Sequence, residues 1–272
     1  MTKVLIAGLP GNMATTFAKH ALKENKISVL NWSITGVEVD DKKVDVNGHM
    51  FDLVRIDERS RINQLFEDTR PDIIVDYTEP DAVEENVGLY CRKKTSFIMG
   101  TTGVVRNKIS RQVKDSDINA VVAPNMGKQI VAMQAMFEYA AQNFPDCFEG
   151  YKLTIKESHQ QGKQDTSGTA KAMAGYFNQL GIGFDIEEIK QYRMPEDQLS
   201  LGVPEDHLGG HAWHTYAFTS ADKSVHFEIV HNVNGREIYA KGTIDSIFFL
   251  DRKNKSDERG KVFSMIDVLK NV

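Results

Sequence analysis

Val4-Leu5-Ile6-Ala7-Gly8-Leu9-Pro10-Gly11-Asn12-Met13, near the start of this 272-residue chain, is the stretch on which the fold turns. Four consecutive apolar residues closed by a glycine predict a strand buried on both faces, and residues 12–22 have helical composition. Outward from this strand, turn and helix, short apolar runs recur at residues 28–34, 73–77, 97–99 and 120–123, with helix-compatible stretches between the later ones. Residues 82, 83, 87, 90 and 91 form one such helical stripe behind Pro80, a residue suited to a helix entry. Alternation of this kind predicts a Rossmann-like, doubly wound parallel sheet with helices on both faces.

After Pro124 a helical pattern through Ile130, Met133, Phe137 and Ala140 leads away from that sheet, and Pro145 stops it. From Tyr151 the rhythm changes to period two. Strands are expected at residues 151–155, 213–219, 225–230 and 237–241, with Asn234-Gly235 as a short turn. This predicts a second α+β domain with a mixed or antiparallel sheet. A final helix is expected over residues 257–269, with Val262, Met265, Ile266 and Leu269 on one face, returning to the first domain. The expected division is residues 1–126 with 244–272, against residues 127–243.

The composition, 41% hydrophobic and 26% charged, is that of an ordinary globular chain with no repeat of fixed period. A formal net charge of -5, with both signs interspersed, gives no basic stripe for nucleic acid, and no apolar run reaches membrane-spanning length. Cys91 and Cys147 lack the spacing of a redox or zinc pair and fit a reducing compartment. Met1 runs directly into a strand pattern, with no room for a secretory signal. A cytoplasmic protein is expected, or one of the plastid stroma if a transit peptide has been removed.

The turn Gly8, Pro10, Gly11, Asn12, Met13 lies where backbone N–H groups and a helix dipole can hold a pyrophosphate. After the second strand come Ser33, Ile34, Thr35 and Gly36, with Glu38 late for the acidic residue that grips the ribose hydroxyls of NAD. Small hydroxyl residues there admit a 2′-phosphate, so NADPH is the expected cofactor, with NADH second and Lys42 and Lys43 as candidate phosphate partners. Gly100-Thr101-Thr102-Gly103, Asp76-Tyr77-Thr78 and Pro124-Asn125-Met126 all end strands at the same edge of the sheet. Together they outline the cofactor cleft, for which Thr35, Tyr77, Thr78, Gly100, Thr101, Thr102, Pro124, Asn125 and Met126 complete the candidate set.

Residues 157–170, Glu-Ser-His-Gln-Gln-Gly-Lys-Gln-Asp-Thr-Ser-Gly-Thr-Ala, are the most informative for chemistry. They follow an expected strand at 151–155 and precede an expected helix at 170–180. The loop presents the imidazole of His159 and the ammonium of Lys163, then a helix start at Ser167, Gly168 and Thr169 whose N–H groups suit a carboxylate. Hydride delivery to an imine or enamine leaves charge that a donated proton must quench, and either side chain can supply it.

With these motifs the chain resembles the dihydrodipicolinate reductase family along essentially its whole length. The resemblance rests on the early glycine turn, Asp76-Tyr77-Thr78-Glu79-Pro80, Gly100-Thr101-Thr102-Gly103, Ala123-Pro124-Asn125 and residues 159–169. It departs from the bacterial pattern in having Gln160 in place of a second histidine and Thr166 joined directly to Ser167. These features, with Met126-Gly127-Lys128-Gln129, resemble the plant-type branch. The resemblance implies reduction of a small dicarboxylated ring by NAD(P)H in the diaminopimelate route to lysine. It implies His159 as proton donor or acceptor, and Lys163 as a second donor that attracts the substrate dianion. Ser167, Gly168 and Thr169 would hold a carboxylate, Thr102 would sit between nicotinamide and substrate, and Gln160 or Lys128 would take over the second histidine's contact. The first domain would bind the dinucleotide. The second would bind substrate and build a homo-oligomer, a tetramer or dimer, through its sheet.

Two other classes fit the residues: a related amino-acid or dicarboxylate dehydrogenase, and a non-catalytic NAD(P)-sensing module. His207, His211 and His214 suggest a metal, but Gly209-Gly210 breaks any helix that would align the first two, and positions 211 and 214 of one strand face opposite sides. No metal is expected.

Overall fold

The computed structural model describes residues 1–101 and 106–271. β1 (Thr2–Ala7) has Val4, Leu5, Ile6 and Ala7 fully buried, as a strand covered on both faces must be. α1 (Asn12–Ala21) buries Ala14, Phe17, Ala18 and Ala21, one stripe at helical spacing. β2 (Ile27–Thr35) runs parallel to β1. β3 (Lys43–Val46) and β4 (His49–Arg55) form a hairpin whose turn residues Asn47 and Gly48 have φ of 55° and 82°, the left-handed pair that a two-residue turn needs.

The chain continues through α2 (Arg59–Thr69), β5 (Ile73–Asp76), α3 (Val83–Arg92), β6 (Ser96–Met99), α4 (Arg106–Ser116) and β7 (Ala120–Val122). After α5 (Lys128–Asn143) come β8 (Lys152–His159), α6 (Gly168–Gln179), β9 (Lys190–Tyr192), α7 (Pro195–Ser200), β10 (His211–Thr219) and β11 (His226–Asn234). Last are α8 (Glu237–Lys255), β12 (Val262–Phe263) and α9 (Met265–Leu269).

One sheet has the order β12-β7-β6-β5-β1-β2-β4-β3, parallel throughout except for the antiparallel edge strand β3. From β1 the chain passes to β2 on one side and then to β5 on the other. The order therefore reverses between β1 and β5, and open α/β sheets bind ligands at the carboxyl ends of the strands at such a reversal. The second sheet, β11-β10-β8-β9, is mixed: β10 is antiparallel to both neighbours, and β8 is parallel to β9.

The chain divides into residues 1–131 with 237–272, and residues 132–236. The first unit thus extends five residues beyond the expected boundary at 126 and resumes seven residues before 244. Its two apolar layers cover the two faces of the large sheet, one with Phe17, Ile247, Phe249 and Leu250, the other with Trp32, Tyr90, Phe97 and Val113. The second unit has its own core around Ile155, Met173, Phe177, Tyr216 and Phe218.

Three local expectations need correction. Residues 237–241 are not a strand but the first turns of α8, whose buried positions Ala240, Thr243, Ile247 and Leu250 keep a helical period to Lys255. Residues 257–269 are not one helix: Gly260 has φ of 67°, Val262 and Phe263 pair with β7, and only α9 is helical, started by the Ser264 and Asp267 capping box. The strand expected at 151–155 continues to His159, so Glu157, Ser158 and His159 are strand residues with fixed facing.

Candidate active site

At the carboxyl ends of β1 and β5 lies a cleft of about 710 Å³. Gly8, Pro10, Gly11, Asn12, Thr35, Tyr77 and Thr78, all expected at the cofactor, line it. Gly8 has φ of 108°, and a Cβ there would lie 2.7 Å from the Tyr77 carbonyl carbon and oxygen. A Cβ on Gly11 would lie 2.8 Å from the Gly8 oxygen, which accepts the Gly11 N–H. Neither glycine has room for a side chain, and at both the bare backbone lines the cleft. No side chain caps the start of α1, leaving that helix N-terminus suited to a phosphate. A dinucleotide fits this cradle in chemistry and in place.

Other expected cofactor residues are held elsewhere. Met13 packs against the core, and Met126 is a core side chain only 2% exposed. The Thr101 hydroxyl donates to the Thr78 carbonyl at 2.7 Å, and the Asn125 side chain accepts the Gly127 N–H at 2.8 Å. Gly100 packs against the Tyr77 ring rather than the cleft, and Pro124 is exposed and outside its lining. Thr102 lies outside the described residues.

Sequence reasoning sets Glu38 aside, yet it lines the cleft with Glu79, Asp81 and Glu85. Its place three residues beyond β2 is the available signal. Lys42 is exposed and outside the lining, and Lys43 pairs with Asp52 at 3.6 Å.

The second constellation is built on one row of the smaller sheet. The pairing sets His231, His214, Glu157 and Gln191 side by side across β11, β10, β8 and β9. Their face is apolar at Ile155, Tyr216 and Phe218 and becomes polar at this row, where α6 begins. Glu157 is completely buried. Its carboxylate accepts the Arg193 guanidinium at 2.5 Å and the Ser167 N–H at 3.0 Å. His214 Nε2 lies 3.0 Å from Ser167 Oγ and 3.7 Å from Glu157, while His159 Nδ1 lies 4.0 Å from the same carboxylate oxygen. The His159 and His214 rings meet edge to face at 5.0 Å.

Lys163, its side chain one-fifth exposed, holds its ammonium 2.5 Å from Asp165. Gln160 is half-buried, and its carbonyl accepts the Lys163 N–H at 3.0 Å. Lys128 pairs with Asp245 within the first unit. Ser167 is the helix cap: its hydroxyl accepts from Ala170 and its N–H is given to Glu157, so Gly168 and Thr169 are the positions of that turn left to offer N–H groups outward.

Of the suggested metal trio, His211 bonds Ser158 Oγ at 2.8 Å, on the other face from His214. A different trio, Glu157, His159 and His214, brings potential ligand atoms within 4.8 Å of one another. Its carboxylate already has Arg193 as a cationic partner.

Burial lowers the pKa of His159 to about 3, with the charges of Arg193 and Lys163 adding to the effect. Burial also brings His231 to about 4 and holds His214 well below its usual range. All three are neutral at pH 7. Folding therefore disfavours protons that the unfolded chain takes up near pH 6.5, so stability is complete above that value and falls as pH drops toward 4. Each histidine contributes a slope of about 1.4 kcal/mol per pH unit. Asp76 in the first unit works the opposite way, because burial raises its pKa. Urea unfolding of Trp32→Phe, followed by Trp213 fluorescence in the second unit, should show a lower midpoint at pH 5.5 than at pH 7.5. Equal midpoints would refute the buried neutral histidines.

Comparison with known proteins gives matches over nearly all of the chain. Residues 2–126 match the family model "Dihydrodipicolinate reductase, N-terminus", and residues 129–269 match "Dihydrodipicolinate reductase, C-terminus". A rice (Oryza sativa subsp. japonica) protein named probable 4-hydroxy-tetrahydrodipicolinate reductase 1, chloroplastic, is 44% identical over 98% of this chain and 78% of its own. The Arabidopsis thaliana 4-hydroxy-tetrahydrodipicolinate reductase 1, chloroplastic, is 40% identical over 98% and 77%. Among solved structures, dipicolinate-bound dihydrodipicolinate reductase from Paenisporosarcina sp. TG-14 shares the fold, with a TM-score of 0.66 at 18% identity and 97% coverage of both chains.

Proposed function

Because the chain belongs to the dihydrodipicolinate reductase family, we propose that it reduces 4-hydroxy-tetrahydrodipicolinate to tetrahydrodipicolinate with NAD(P)H, releasing water, in the diaminopimelate route to lysine. The observation that supports this beyond family membership is the neutral imidazole of His159, 4.0 Å from the Glu157 carboxylate, with the Lys163 ammonium on the loop that leads from there to a helix start suited to a carboxylate. When bound, the nicotinamide supplies the hydride.

This chain's residues do the rest. The Gly8 to Asn12 turn and the start of α1 bind the pyrophosphate, and Thr35, Tyr77 and Thr78 are among the residues that line the cleft beyond it. Gly168 and Thr169 N–H groups bind one substrate carboxylate, with Gln160 on the same loop in place of a second histidine. Lys163 Nζ attracts the dianion and gives up the proton that hydride addition requires. His159, neutral, offers one hydrogen bond to the ring.

Of the two expected cofactors, NADPH and NADH, we propose NADH on the strength of the acidic rim of the cleft. Glu38, which lines the cleft, would accept ribose hydroxyls and repel a 2′-phosphate. Glu38→Ser should improve the NADPH to NADH ratio of kcat/KM by about tenfold; an unchanged ratio removes Glu38 from cofactor choice.

A second copy of the chain is the partner we infer, a dimer or tetramer built on the outer face of the smaller sheet, where Trp213, Thr215, Val230 and Tyr192 line a shallow groove of about 160 Å³. No helix among the described residues is long and apolar enough to cross a membrane. The names of the plant relatives support the plastid stroma as the working compartment, with cytoplasm the alternative.

The deciding assay mixes pyruvate, aspartate semialdehyde and the preceding synthase with this protein and follows nicotinamide absorbance. Synthase-dependent oxidation of the cofactor is expected. Turnover of other amino or dicarboxylic acids without it would indicate a different dehydrogenase, and cofactor binding with no turnover a sensor.

A further inference from the structure

We infer that Arg193 and Glu157 act as a positioning clamp for the loop that carries Lys163 and for the start of α6. This rests on the reading of Lys163 as the proton donor. The single guanidinium reaches five acceptors. Its Nε donates to the Lys163 carbonyl at 3.0 Å, and its terminal nitrogens donate to the Glu157 carboxylate at 2.5 Å, Gln191 Oε1 at 3.0 Å, the Tyr192 carbonyl at 3.3 Å and the Asp165 carbonyl at 3.5 Å. Two of these are backbone oxygens of the loop itself, on either side of the residue between them.

Glu157 completes the fixture from below, since one carboxylate both takes the guanidinium and receives the Ser167 N–H. Gln191 adds a bond from its side-chain amide to Thr166 Oγ1 at 3.0 Å. The loop from Lys163 to Ser167 is thereby tied at successive positions to β8 and β9. Only a planar fork with several donors can serve so many oxygens at once; an ammonium supplies the charge without that geometry. The ion pair is deeply placed, with the Glu157 side chain fully buried and that of Arg193 15% exposed. Removing either partner alone leaves a buried charge unpaired. Neither residue needs to touch the ring. Their effect passes through where the Lys163 ammonium and the α6 N–H groups stand, and misplacement by about 1 Å can cost about a hundredfold in rate.

Arg193→Lys keeps the charge and removes the fork. We expect it to lower kcat by about tenfold to a hundredfold, with KM for the nicotinamide cofactor unchanged and hydrogen exchange of residues 160–167 accelerated. In Arg193→Met the cation is gone and Glu157 is unpaired beside His159. His159 then faces Glu157, His214, His211, Lys163 and Asp165 without Arg193, and the acidic limb of the kcat/KM profile moves to higher pH; in Arg193→Lys it stays. Glu157→Gln offers one oxygen where two hydrogen-bond donors converge, and should resemble Arg193→Lys in exchange and kcat.

Wild-type exchange and kinetics in Arg193→Lys would overturn the clamp. So would a parallel fall in kcat, cofactor binding and thermal midpoint, which marks general destabilisation. If Arg193→Met does not fold, Arg193→Lys carries the test. If the wild-type protein shows no turnover, the reductase reading fails, and the exchange of residues 160–167 still decides whether the clamp exists.

Discussion

Lys163→Ala is expected to lower turnover by about a hundredfold or more, the usual scale for losing a general acid, while the dissociation constant for the nicotinamide cofactor stays at its wild-type value. The asymmetry comes from placement. Among the described residues, those lining the cleft proposed for the dinucleotide all lie between Gly8 and Glu85, and none belongs to the loop that carries Lys163. The choice of Lys163 over His159 as donor rests on charge. An imidazole whose pKa burial has brought to about 3 carries no surplus proton at neutral pH, whereas a lysine ammonium held by Asp165 does. His159→Gln keeps a neutral hydrogen-bonding group and should cost less than Lys163→Ala at pH 7. Steady-state kinetics with separately titrated cofactor will decide. A Lys163→Ala enzyme at wild-type speed, or a ranking with His159→Gln the slower, would take the donor role away from Lys163.

Gly8→Ala should weaken cofactor binding by about tenfold or more and destabilise the first unit by about 2–4 kcal/mol. The backbone φ of 108° is costly for any residue with a Cβ, and the added carbon would stand 2.7 Å from the Tyr77 carbonyl. Neither atom belongs to a flexible side chain. The strain must therefore move β1 against β5 at the point where the turn meets the cleft. Calorimetric titration with NADH, together with urea unfolding reported by Trp32, which is buried in the first unit, measures both effects. Wild-type affinity in a folded Gly8→Ala protein would show that the cofactor does not lie against this turn.

How much of the fold is legible in residues alone depends on how local each signal is. β1, β5, β6 and β7 announce themselves because a strand covered on both faces is a plain apolar run. The β3 and β4 hairpin has an Asn47-Gly48 turn between short strands of mixed composition, while Asn234-Gly235, the same dipeptide, precedes a helix. A dipeptide sets a turn, and only the longer apolar period on its far side distinguishes a strand from a helix there. Residues 257–269 mislead for the opposite reason: their spacing suits a helix, but Val262 and Phe263 find a strand partner in β7, far away in sequence.

In the site, His159, Lys163 and Ser167 stand close together in sequence and are legible. His214 and Arg193 are not, because they reach Glu157 only through the pairing of β10 with β8 and of β9 with β8. Glu38 is visible but late after its strand; in three dimensions three residues is near enough to return to the cleft.

The first unit is interrupted in sequence by the second, and among the described residues the lining of its cleft ends at Glu85. The layer beneath α1 nevertheless needs Ile247, Phe249, Leu250, Met265 and Val268, and β7 gains its outer neighbour only from β12. A ribosome will therefore have emitted the described lining of the cleft long before the segment that steadies it emerges, while the inserted second unit already has its core in hand. A nonsense codon downstream of Arg236 would spare every described residue that lines the cleft and still strip away the late side chains packed beneath α1.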